Sequence, residues 1–225
     1  TAGVTAVGWS PTDATVFWSA SRDSSFRWWS VGGRTTFDEL VCGDVLRCKN
    51  HRGLPAAVTT ATLAADGRTI VTAVDDGSVQ LFSTKAPGGY RFSRPDAVLR
   101  DAHVAGDAAV TCVAYAPSGW LLATRGSDET VKVWDVRRLG VARGGDGTAA
   151  LVAAFPGIAT HHSSCNVAWA PTSDVLVAGV EARRGSGAAG SLRILKLAAD
   201  AAASGGAGAR GGDTIAIDIA PVDVQ

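Results

Sequence analysis

In the stretch from residue 103 to 137, His103, Thr124 and Asp128 supply an imidazole, a hydroxyl and a carboxylate, with Trp134 close behind. Those are the group types of nucleophilic and general acid–base catalysis. Their intervals argue for another use. His103 precedes Thr124 by 21 residues, Thr124 precedes Asp128 by 4, and Asp128 precedes Trp134 by 6. His51, Thr72 and Asp76 repeat the intervals 21 and 4, and Phe82 stands at the next interval of 6. Ser19, Asp23 and Trp29 repeat 4 and 6. A buried indole N–H needs an acceptor and a turn Asp needs donors, so such sets read as structural hydrogen bonds. Each bond nets roughly 0.5–1.5 kcal/mol, and a buried member left unpaired costs more. The sequence holds no Gly-rich phosphate loop, no H-E-x-x-H and no nucleophile elbow. No catalytic residue, no cofactor and no small-molecule substrate are expected.

The elements that must position these residues are short strands. Four segments share a strand–turn pattern, and aligning Trp9, Leu63, Tyr115 and Trp169 gives steps of 54, 52 and 54 residues. First strands are expected at Val4–Trp9 and Val110–Tyr115, and a second at Leu121–Thr124. Third strands align as Phe26–Trp29, Val79–Phe82, Val131–Trp134 and Leu192–Leu195. Pro117, Ser118 and Gly119, and then Gly126 to Asp128, mark tight turns. The Ala/Gly-rich segment 198–212 reads as a surface loop, and Thr214–Ile219 alternates like an outer strand.

The 225 residues are 46% hydrophobic with a formal net charge of zero. That is ample for a large core, and the neutral balance argues against direct nucleic-acid binding. The longest apolar runs are too short to span a membrane, and no signal peptide is recognisable. The chain contains no Met, even at position 1, which reads as a fragment. Cys42, Cys48, Cys112 and Cys165 fit no zinc spacing and read as free structural thiols of a reducing compartment. His51 lies three residues from Cys48, but two ligands do not make a metal site. His161 and His162 fall out of register and read as loop residues. Arg22, Arg125, Arg183 and Arg184 are expected in loops, as a basic rim for binding peptides or proteins.

The stretch 103–137 resembles a WD repeat. The expected fold is therefore all-β, a WD-repeat β-propeller with blades at about 1–50, 51–102, 103–156 and 157–225. A WD repeat is ~40–45 residues, so each step carries an insertion. Seven blades are usual in that class, so about three further blades are expected, and the first blade's His would precede Thr1. The resemblance implies a relay from His to Asp and on through the hydroxyl to the Trp indole. The chain is also similar to one subfamily, the gastrulation-defective-type WD-repeat proteins. Ser19–Trp29, Pro55–Phe82, Leu122–Arg137, the Arg184–Gly187 insertion and Thr214–Ile219 carry that similarity.

The subfamily implies a nuclear, non-catalytic scaffold tied to cullin-4 ubiquitin ligases, histone ubiquitination and the DNA-damage response. It implies docking on the ligase adaptor through a box with Asp128, Trp134, Asp135 and Arg137. Strand alternation would turn Trp134 inward and face Asp135 and Arg137 outward. The alternative is a WD-repeat scaffold that binds peptides or proteins on its top face without a ligase link.

Overall fold

The computed structural model describes residues 2–32, 39–84, 94–100, 102–103, 109–139, 150–159, 166–182, 190–197 and 215–219. They form four antiparallel four-stranded sheets. The first sheet holds β1 Val4–Trp9, β2 Val16–Ser21, β3 Ser25–Gly32 and β4 Glu39–Arg47. The second holds β5 Val58–Leu63, β6 Thr69–Val74, β7 Val79–Ser83 and β8 Ala97–Leu99. The third holds β9 Val110–Tyr115, β10 Leu121–Gly126, β11 Val131–Asp135 and β12 Leu151–Phe155, with a single-turn helix α1 Val136–Leu139 after β11. The fourth holds β13 Val167–Trp169, β14 Val175–Val180, β15 Ser191–Lys196 and β16 Ile215–Ile219. Each sheet is a meander in chain order.

The sheets stack face to face through three apolar cores. Trp18, Phe26 and Leu46 pack on Val58, Ile70 and Phe82 between the first and second sheets. Val71, Leu81 and Leu99 pack on Val113, Leu122 and Trp134 between the second and third. Leu121, Val131 and Phe155 pack on Leu176 and Leu195 between the third and fourth. Neighbouring residues of one strand, such as Ile70 and Val71, thus enter different cores, as strand alternation requires. The two central sheets are buried on both faces, so β10 is buried at every position. The first sheet is covered on one side, and Val7 and Trp9 of β1 are exposed.

The inner strands β1, β5, β9 and β13 line an axial cavity of about 800 Å³, with Arg22 in its wall. Hydroxyls at matching positions stitch neighbouring sheets. Thr5 donates to the Val58 carbonyl at 3.0 Å and Thr59 to the Val110 carbonyl at 2.7 Å. The turn between second and third strands repeats as well. Asp23, Asp76 and Asp128 accept from the backbone N–H two residues on, at 3.0, 3.0 and 3.2 Å. The residue between is left-handed each time: Ser24 at φ 70°, Gly77 at 78° and Glu129 at 59°. The side-chain acceptor holds two non-glycine residues where glycine is ordinarily favoured.

Candidate functional site

In the third sheet, β10, the turn before β11 and the loop ahead of β9 bring four side chains together. His103 Nδ1 lies 2.8 Å from Asp128 Oδ1, and His103 Nε2 lies 2.8 Å from Thr124 Oγ1. The Trp134 indole N–H donates to Thr124 Oγ1 at 2.9 Å. Thr130 adds a hydroxyl donor to Asp128 at 2.8 Å. One proton arrangement satisfies every member. Thr124 accepts from Trp134 and donates to Nε2, so the neutral imidazole carries its proton on Nδ1 and donates to Asp128. Burial alone would raise the Asp128 carboxyl, but the bonds from His103 and Thr130 outweigh it and hold it below the ordinary value. The His103 side chain is fully buried, so it cannot touch a substrate.

Gly126 makes room for this ring. A Cβ there would overlap the His103 ring and stand 2.6 Å from Asp128 Oδ1. The sequence showed Gly126 only as a turn residue; its place two residues before the turn Asp, beside a matched His, was the available signal.

The second sheet has the same spacing and a different result. Thr72 is fully buried, yet its hydroxyl meets Cys48 Sγ at 3.5 Å, not His51. The His51 side chain is 55% exposed, with Nδ1 3.6 Å from Asp76 Oδ2. The expected His51–Thr72 link is therefore not formed. Val74, fully buried, stands at the position of Gly126 and fills the space that the ring needs. Asn50 Oδ1 accepts from Arg52 N and Leu54 N at 2.9 and 3.0 Å, which ties the His51 loop into its own outward turn. Phe82 replaces the indole and has nothing to donate. Burial pushes the Cys48 thiol up to about 11.

In the first sheet, the Trp29 indole N–H donates to Ser19 Oγ at 2.8 Å. Asp23 accepts from the Ser25 N–H and hydroxyl and pairs with Arg27 at 2.8 Å. Burial opposes ionisation of Asp23, but these partners outweigh it and leave its carboxyl lowered.

The Asp135–Arg137 corner departs from strand alternation. β11 stops at Asp135 and α1 begins at Val136. Asp135 is therefore buried, 3% exposed, rather than facing out. Arg137 Nε and Nη2 grip its two oxygens at 2.9 and 2.7 Å, and Arg138 Nε lies 3.5 Å away. Those bonds, Arg137's first, hold the Asp135 carboxyl below its ordinary range. The Arg137 guanidinium lies 4.4 Å from the Trp120 ring centre, and its side chain is 61% exposed. Asp128 sits at the opposite end of β11, seven residues from Asp135, or roughly 20 Å at strand spacing. The four residues of the expected box therefore do not form one surface: Arg137 alone is presented.

Of the expected basic rim, Arg22 is exposed at the axial cavity. Arg125 is in β10, fully buried, and donates to the carbonyls of Ala159 and Asn166 at 2.9 and 3.4 Å. It is an inter-sheet clamp, and its expected loop placement is corrected. Arg183, Arg184, His161, His162, Cys165 and the 198–212 segment lie outside the described residues. Cys42, Cys48 and Cys112 are free thiols. Among the described residues no three His, Cys, Asp or Glu side chains gather as a metal site.

The family model described as "WD domain, G-beta repeat" matches residues 96–135, which contain the whole relay. The chain has the WD-repeat propeller fold. The chain is 27% identical over 183 residues to "WD repeat-containing protein 70" of Xenopus tropicalis. It is 29% identical over 130 residues to "Gastrulation defective protein 1 homolog" of Drosophila melanogaster. These alignments cover 80% and 58% of the chain, and 26% and 18% of the relatives. The chain thus spans about a quarter or less of the curated relatives it matches. The solved structure titled "Crystal structure of RRP9 WD40 repeats" superposes with a TM-score of 0.61 at 18% identity. That match covers 88% of this chain and 49% of that one.

Proposed function

We propose that this chain is a non-catalytic scaffold that docks other proteins through the Arg137 corner of its third blade. The docking partner proposed is the adaptor of a cullin-4 ubiquitin ligase, in the nucleus, in histone ubiquitination and the DNA-damage response. The similarity to the gastrulation-defective-type proteins supports that partner. The observation that carries the surface is the posture of Arg137. Its guanidinium is gripped on one edge by buried Asp135 and lies over Trp120, while the side chain remains 61% exposed. A fork held this way loses little freedom when it meets a carbonyl or carboxylate of a partner. The non-catalytic part rests on the relay, which occupies the imidazole, hydroxyl and carboxylate that chemistry would need.

The test is calorimetry with the purified adaptor. Arg137→Ala is expected to weaken binding at least thirtyfold, about 2 kcal/mol. Arg137→Lys keeps the charge without the fork and is expected to fall between. Melting curves of both variants separate loss of docking from loss of fold, since Arg137 also pins Asp135. Wild-type chain that does not bind, or Arg137→Ala that binds as wild type does, rules the docking out. The second reading is peptide binding at the mouth of the axial cavity, where Arg22 stands; Arg22→Ala would then be the damaging change.

A further inference from the structure

The failed relay of the second blade leaves an opening with an unusual charge. A cavity of about 860 Å³ lies between the end of β4 with its following loop and the β7–β8 face. Arg47, Lys49, Arg94, Arg100 and His51 stand around it, all exposed. Asp76 is the sole carboxylate in the wall among the described residues, and it is already engaged by His51 and by the Ser78 N–H. Buried Phe82 and half-buried Val98 supply an apolar floor.

This imbalance is local. The chain has 21 Lys and Arg against 21 Asp and Glu. Elsewhere several guanidinium groups are matched to carboxylates, as in Arg27–Asp23 and Arg137–Asp135. The four cations of this wall have no carboxylate partner among the described residues; Arg47 reaches only the Asp23 carbonyl, at 3.2 Å. Like charges held around one opening repel and raise its potential, and an anion entering it relieves both. The wall is also held in shape. Buried Gln80 donates to the Lys49 carbonyl at 2.6 Å, and the Asn50 turn fixes the loop that carries His51.

We infer that this cleft is a docking site for an acidic, extended peptide segment of a partner protein. Arg94 and Arg100 bracket β8, six residues apart, and fully extended chain covers at most about 20 Å in that interval. A strand-like peptide of up to about six residues would therefore meet both ends. Carboxylates would pair with the arginines, while an apolar side chain rests on half-buried Val98. Nucleic acid fits less well. The aromatic ring in the wall, Phe82, is 2% exposed, so no ring is presented for a base to stack on.

The probe is fluorescein-labelled hexaglutamate, titrated by anisotropy against the 225-residue chain at about 50 mM salt and again at about 200 mM, where screening is stronger. Saturable binding that weakens with salt is expected. The double variant Arg94→Glu with Arg100→Glu is expected to bind at least tenfold more weakly, 1.4 kcal/mol. Arg52→Glu, on the same loop but outside the wall, is expected to stay within about twofold, as a rim charge screened by solvent does. Arg137→Ala is expected to leave this binding unchanged, which separates the site from the adaptor-docking corner. The inference is overturned by an absence of binding, by a double variant that binds as wild type does, or by Arg52→Glu acting as strongly as the double variant. Tighter binding of a six-residue oligothymidylate than of hexaglutamate would also overturn it and assign the cleft to nucleic acid.

Discussion

The second and third blades start from the same intervals and finish differently. In the third, His103 is buried against Asp128 and Thr124, and the chain of bonds runs on to Trp134. In the second, His51 lies in solvent and Cys48 takes its place at Thr72. The deciding residues are not the polar ones. Gly126 leaves a space that an imidazole fills, and Val74 fills the matching space itself. A relay therefore needs its donors and acceptors and also a gap beside them. Where the gap is closed, the histidine moves out and the loop becomes surface. The third blade spends its polar residues on stability, and the second leaves its own for contacts with partners.

The comparison can be broken at the gap. Gly126→Ala should be the most damaging small change, about 3 kcal/mol, because its methyl collides with a ring enclosed on every side. Chemical unfolding measures it; a loss under 1 kcal/mol would show that His103 can move aside cheaply.

The carboxylates come next. Asp128→Ala strips the His103 N–H and the Thr130 hydroxyl of their acceptor and should cost roughly 1–3 kcal/mol. Asp76→Ala should cost less than about 1 kcal/mol, since its His51 partner is solvated. Equal losses at the two positions would erase the distinction between the blades.

The smallest effect is on pH dependence. The Asp128 carboxyl is lower in the folded chain than its ordinary 3.8. Its contribution is therefore complete above the unfolded value and is lost as pH falls through the folded one. Wild type should lose stability on acidification below about pH 4, and Asp128→Asn should show a shallower loss over that range. Asp23 and Asp135 are lowered too and will keep a residual slope in the variant. Parallel slopes would mean that Asp128 carries none of the dependence.

Much of this was legible in the sequence, for physical reasons that can be named. Matched apolar runs and turn residues reveal the inner three strands of a blade, because those strands send apolar side chains into a core on one face or both. Of the outer strands, only the last is legible, since the alternation over Thr214–Ile219 marks β16, Ile215–Ile219. β8 has three residues, too few for periodicity to register, and β4 and β12 lie in the insertions that break the repeat. Residue type and interval located the relay groups but not whether they meet, since that rests on the bulk of Val74 against Gly126. Arg125 was placed in a loop because its neighbours are turn residues. It lies instead in the last buried positions of β10, where the carbonyls of Ala159 and Asn166, in the connection to the fourth sheet, receive it. Asp135 is the last residue of β11, and strand alternation faces it outward because it does not register the turn α1, whose Arg137 and Arg138 fold back onto its carboxylate.

The contrast between the two histidines can be measured directly by paired unfolding of His103→Ala and His51→Ala. Removing His103 leaves Asp128 and Thr124 without their shared partner and opens a void, so a loss of about 2–4 kcal/mol is expected. Removing His51 takes away a solvated ring, so its change should stay within about 0.5 kcal/mol. Equal losses from the two substitutions, or a larger one at His51, would contradict the account.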